Sequence, residues 1–118
     1  MVRLVKQSDY PVLQQILEEH MSTPEAQKKL QNTDPFLTYV YETDQIQGCL
    51  FVTRDALSFL DKKVGYALFQ VYVKEDASVE VAQQLIYEAS EDCSYHDLIV
   101  LATDTYPQAL KQNQFNPL

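Results

Sequence analysis

Residues 73–85 read "VKEDASVEVAQQL". The run before them, "GYALFQVYV" (65–73), is apolar on both faces and rich in aromatic and β-branched residues, which predicts a central strand over 64–74. After them the spacing turns helical. Val79, Ala82, Ile86, Ala89 and Cys93 recur at intervals of 3, 4, 3 and 4. That pattern predicts a buried stripe on a helix over 79–92, with Leu85 beside it and Ser78 as its N-cap. "LIVLAT" (98–103) then reads as a buried strand parallel to the central one, and the helix as its right-handed crossover. The quoted stretch therefore decides the class, because a parallel pair demands such a connection. A strand running into a helix is also where α/β proteins hold anions, since free N–H groups and the helix dipole converge there. Such a turn usually contains glycine and a base. This one has no glycine, and it sets Glu75, Asp76 and Glu80 against the single Lys74.

Working outward, residues 2–6, "VRLVK", alternate as a short first strand. Ser8 reads as an N-cap with Pro11 in the first turn, and Val12, Leu13, Ile16, Leu17 and Met21 carry a helix to about His20. "STPEAQKKL" starts a second, short helix, with Thr23 as cap, Pro24 at the first position and Glu25 near the positive end. Residues 36–42 and 46–53 read as two strands joined at "TDQ", with Gly48 marking a bulge or a close backbone approach. Residues 54–63, "RDALSFLDKK", read as a connection. "YPQALKQNQ" opens a last short helix near Pro107. The order is β-α-α-β-β-β-α-β-α, a single α/β or α+β domain over residues 1–118.

Composition removes several function classes. Acids outnumber bases 17 to 9, and the bases are scattered, which disfavours a nucleic-acid surface. Two glycines, Gly48 and Gly65, leave no room for a P-loop or a dinucleotide fingerprint. No segment approaches the roughly 20 apolar residues of a membrane span, and the N-terminus lacks a secretory h-region, so a cytoplasmic location is expected. Cys49 and Cys93 are far apart and outside any metal-binding spacing, as two buried thiols would be.

In this order, the local strings resemble the GCN5-related N-acetyltransferase (GNAT) superfamily over nearly the whole chain. "VRLVKQSDYPVLQQIL" (2–17) is similar to that family's first strand and helix, and "YETDQIQGCLFV" (41–52) to its acidic hairpin. "LFQVYVK" (68–74) resembles its fourth strand, and "IVLATDTYPQALK" (99–111) its fifth strand and following helix. The resemblance implies a mixed sheet of about five strands, here without the family's two C-terminal strands. It also implies acetyl-CoA as cofactor of an N-acyltransferase. The pantetheine arm would then lie along Val71 and Val73, and the pyrophosphate over Ser78, Val79 and Glu80.

The departures fall where that chemistry would occur. The family's R/Q-x-x-G-x-G/A loop corresponds to residues 78–83, give or take one in register. Ser78 replaces the Arg or Gln, both glycines are absent, and Glu80 brings a carboxylate to the pyrophosphate. The family's leaving-group tyrosine has no counterpart in "ALKQNQFNPL" (109–118).

Other candidates have plainer readings. The middle of the central strand offers Gln70, which cannot act as a general base. Glu42 and Asp44 sit at a hairpin, where a solvated turn accounts for them. His20 ends a helix and suits its negative end. Cys93, His96 and Asp97 can be written as a nucleophilic set, but the helical stripe turns Cys93 inward. Thr103, Asp104, Thr105 and Tyr106 lie at the C-terminal end of a parallel strand, where ligands gather, or simply cap the last helix. Tyr39, Tyr41, Tyr66 and Tyr72 fall on strands as core or cross-strand partners.

The expectation is a non-catalytic binding or assembly module with no catalytic residue, no metal and no cofactor. The alternative is an acyltransferase that binds acetyl-CoA without the usual loop; a different enzyme using the cleft near Asp104 is a third reading. A homodimer is expected across the open edge near Leu98 and Thr103, because an uncovered strand edge is a template for another chain. No nucleic-acid or membrane partner is expected.

Overall fold

Alternating strand residues and three amphipathic helices build a sheet with a core on each face. The computed structural model describes residues 1–59, 62–95 and 99–101. One sheet runs in the order β1 (Val2–Leu4), β2 (Thr38–Glu42), β3 (Ile46–Phe59), β4 (Lys62–Val73) and β5 (Ile99–Leu101). The helices among the described residues are α1 (Tyr10–Glu18), α2 (Thr23–Gln31) and α3 (Val79–Tyr95). The first four strands pair antiparallel. β5 runs parallel to β4, with Tyr66 opposite Ile99 and Leu68 opposite Leu101. α3 is the crossover between them, as the pattern of residues 73–101 predicts.

The sheet's two-residue period sorts the core. Leu50, Val52, Phe69 and Val71 pack with Val81, Ala82, Leu85, Ile86 and Ala89 of α3. Val40, Cys49 and Phe51 pack on the other face with Leu13, Ile16 and Leu17 of α1 and Ala26 of α2. Each fully buried Leu, Ile or Phe contributes roughly 1.5–3 kcal/mol relative to exposure.

Five local expectations are corrected. Ser8 is exposed and caps nothing; a 3₁₀ turn, Gln7–Asp9, precedes α1. Buried Asp9 serves there instead, accepting from the Lys6 N–H at 2.7 Å. The cap of α2 is Ser22, not Thr23, because its extended backbone lets Oγ accept from the Glu25 N–H at 3.3 Å. β2 begins at Thr38, since Asp34 accepts from the Phe36 N–H and turns Pro35–Leu37 into a 3₁₀ turn. Residues 54–59 and 62–63 are not a connection but the continuation of β3 and β4, paired from Arg54 with Ala67 to Phe59 with Lys62. Val79 is 51% exposed, whereas Val81 is 5% exposed. The true stripe thus starts at residues 81 and 82, where α3 first lies over the sheet. The last helix near Pro107, and Leu98, Ala102 and Thr103, lie outside the described residues.

Gly48 meets both halves of its expectation. The register between β2 and β3 steps by one residue at Tyr41 and Glu42, leaving Gln47 extra. A Cβ at Gly48 would lie 2.9 Å from Val73 Cγ1 and 3.0 Å from Val81 Cγ1. The end of β4 and the first turn of α3 therefore close on a position where any side chain would displace its neighbours.

Candidate functional site

The β4–α3 turn is the first place to look for a ligand. Successive residues of an antiparallel strand turn their backbone groups to opposite sides. The Lys74 N–H donates to the Gln47 carbonyl at 2.9 Å, toward β3. The backbone groups of Val73 and Val71 therefore face away from β3, toward the side that β5 occupies further along. That is the side on which a ligand could lie along β4. The Val73 carbonyl already accepts a hydrogen bond there, from His20 Nε2–H at 2.8 Å. His20 thus ties α1's end to β4, rather than merely complementing a helix dipole. Its distance of 53 residues from Val73 left no signal in the sequence.

The turn itself is closed by its own backbone. The Ala77 N–H donates to the Lys74 carbonyl at 3.0 Å, and the Val81 N–H to the Ser78 carbonyl at 3.2 Å. Ser78, Val79 and Glu80 are exposed, while Val71 and Val73 have their side chains in the α3 core. Glu19, Glu75 and Asp76 surround Lys74 in a shallow depression beside the turn. Three carboxylates around one ammonium make the local field negative, which opposes an anion at the N-terminus of α3.

A second concavity lies on the other face, between α2 and strands β2, β3 and β4. It is an open cleft of about 610 Å³. Lys29 of α2 reaches into it and donates through Nζ to Gln70 Oε1 of β4. Its ammonium lies 4.8 Å from the Phe51 ring centroid and 5.5 Å from that of Tyr72. Tyr72 in turn packs against His20 at 5.5 Å, so one aromatic row links the cleft to the end of β4. Burial holds the Lys29 pKa below its ordinary value. In the sequence Lys29 is one of nine scattered bases; only in the fold does its place one turn after buried Ala26 bring it to the sheet.

The remaining candidates separate. Glu42 is no simple solvated turn residue, since Arg3 Nε donates to its Oε1 at 3.0 Å while the Arg3 fork binds Asp9 at 2.8 and 3.0 Å. Tyr39 donates to the Asp92 carboxylate, and burial first, then this bond, raise its pKa. Cys93 is 5% exposed and its thiol is pushed up by burial, which disfavours the thiolate a nucleophile needs. His96, Asp97, Thr103, Asp104, Thr105 and Tyr106 lie outside the described residues. Among the described residues no cluster of His, Cys, Asp or Glu could hold a metal, and no helix is long and apolar enough to cross a membrane.

No protein-family model matches the sequence, and no curated protein matches it. Solved structures do match the fold. A GCN5-related N-acetyltransferase from Anabaena variabilis superposes with a TM-score of 0.83 at 18% identity, over 95% of this chain and 30% of that one. A predicted acetyltransferase from Clostridium acetobutylicum, solved with acetyl-CoA, gives 0.72 at 12% identity, over 100% and 90%. A ribosomal-protein-alanine N-acetyltransferase from Brucella melitensis gives 0.68 at 18% identity, over 97% and 82%. The fold is that of the GNAT acetyltransferases.

Proposed function

We propose that this chain uses the GNAT acetyltransferase fold as a non-catalytic binding or assembly module. The observation that carries this reading is the β4–α3 turn. Val81, at the first glycine position of the resemblance, is core-packed over Gly48, and the exposed surface beside it carries Glu19, Glu75, Asp76 and Glu80. Acetyl-CoA brings a pyrophosphate and a ribose phosphate, which need donors or positive charge. Each missing charge-assisted hydrogen bond is worth roughly 1.5–3 kcal/mol. Losing two of them moves a micromolar site toward the millimolar range.

The expected outcome is no acetyl-CoA or CoA binding tighter than about 1 mM in low-salt titration calorimetry. A micromolar dissociation constant overturns this reading in favour of an acyltransferase without the usual loop. That alternative draws on the fold shared with structures solved with acetyl-CoA. The assembly part rests on topology: among the described residues, β5 has a strand on one side only. A symmetric homodimer across this edge would cover it. Light scattering that gives a monomer mass at high concentration removes the dimer from the proposal.

A further inference from the structure

The α2 cleft holds a cation for which the described residues supply no anionic partner. The ion pairs among them are Arg3 with Asp9 and Arg3 with Glu42. Lys29 instead has one neutral acceptor, Gln70 Oε1, and two aromatic faces. An ammonium carries three donors. No second protein acceptor for Nζ is found among the described residues, and the cleft opens beside it. The geometry points to a binding site for a small organic carboxylate, with its charged group on Lys29 Nζ and its apolar body along Phe51, Met21 and Leu37.

Three observations define that ligand class. The volume of about 610 Å³ falls within the usual range of small-molecule sites. The neighbouring apolar lining suits a ligand with a hydrocarbon body. Glu25 and Asp34 line the same cleft with Lys28, so a singly charged anion fits where a phosphate ester would meet two carboxylates. Arg54 lines the cleft as well, so the cleft's three cations exceed its two carboxylates by one charge, which again fits a singly charged anion. Partial burial of Lys29 strengthens the attraction, because a charge with less water around it gains more from a counter-ion. Tyr72 supplies the link to the rest of the molecule, since its ring contacts both the Lys29 ammonium and His20.

This site lies across the sheet from α3 and does not depend on whether the β4–α3 turn holds CoA. The test is a two-dimensional NMR titration of the full chain with four probes of one shape: benzoate, benzyl alcohol, benzylamine and phenyl phosphate. Benzoate should give saturable shifts at Lys29, Phe51 and Gln70 with a dissociation constant below about 10 mM, the range open to so small a ligand. The alcohol and the amine should bind at least about tenfold more weakly. Lys29→Met, which keeps the stem over the rings, should lower benzoate affinity about tenfold or more, and Lys6→Met, outside the cleft lining, should leave it nearly unchanged. Absence of saturation with benzoate overturns the proposal. So does equal binding of benzylamine, tighter binding of phenyl phosphate, or unchanged affinity in Lys29→Met. The comparison among probes needs no variant, so it stands even if Lys29→Met misfolds. A parallel CoA titration would report at residues 74–81, which scores the reading of the turn separately.

Discussion

Gly48→Ala tests the close approach that shapes the β4–α3 turn. The added methyl would lie 2.9 Å from Val73 Cγ1, 3.0 Å from Val81 Cγ1 and 3.1 Å from the Tyr72 carbonyl oxygen. Ordinary carbon contacts begin near 3.5 Å. Two of the neighbours are β-branched side chains with stiff rotamers, and the third is backbone paired in the sheet. Overpacking of this kind costs about 1–3 kcal/mol. Restricting the unfolded chain returns about 0.4–1 kcal/mol. The net expectation is a loss of about 1–2 kcal/mol in a urea melt followed by circular dichroism. Val81→Ala alone should also destabilise, by about 1–2 kcal/mol, because Val81 is buried. In the double variant, shortening Val81 relieves one of the clashes. The two losses should therefore sum to less than their separate values, by about 0.5–1 kcal/mol. A Gly48→Ala protein as stable as the parent, or strictly additive losses, would refute the claim that α3 closes on this position.

Ile86 is fully buried and Gln84 exposed. Ile86→Ala should cost about 2–5 kcal/mol and Gln84→Ala less than about 0.5 kcal/mol, and equal costs in denaturant melts would mean the phase of α3 is wrong. Hydrogen bonds from Arg3, aided by the Lys6 amide, hold the Asp9 pKa below its ordinary value. The stability this confers is present above about pH 4 and is lost as pH falls through the lower folded value. Asp9→Asn should therefore flatten the acid side of a stability–pH series and cost about 1.5–3 kcal/mol at neutral pH; an unchanged acid slope would place the titration elsewhere. Burial pushes the Cys49 thiol up to about 12 and raises that of Cys93 as well. An aromatic disulfide reagent at about pH 8 should leave both thiols untouched in the native protein and label both in denaturant; rapid native labelling would show that one of these cores opens.

The parts of the fold carried by local periodicity were legible in residue order. The stripe Ala82–Ile86–Ala89–Cys93 reports which face of α3 is apolar, and a parallel strand on either side of a helix admits one handedness. The absence of glycine from residues 73–85 was equally plain, because a backbone that must approach a ligand cannot hide its need for it. Long-range contacts had no such trace. Nothing near residue 20 or residue 73 says that His20 donates to the Val73 carbonyl, and Lys29 resembles any surface base until α2 docks and Phe51, Gln70 and Tyr72 arrive from two strands. The exchange of Val79 for Val81 in the core was also beyond the sequence, since both are valines at the start of one helix. Only the place where α3 meets the sheet, over the missing side chain of Gly48, decides which of them is buried. Periodicity is a property of neighbours along the chain, whereas a cleft or a close approach depends on where separate elements come to rest.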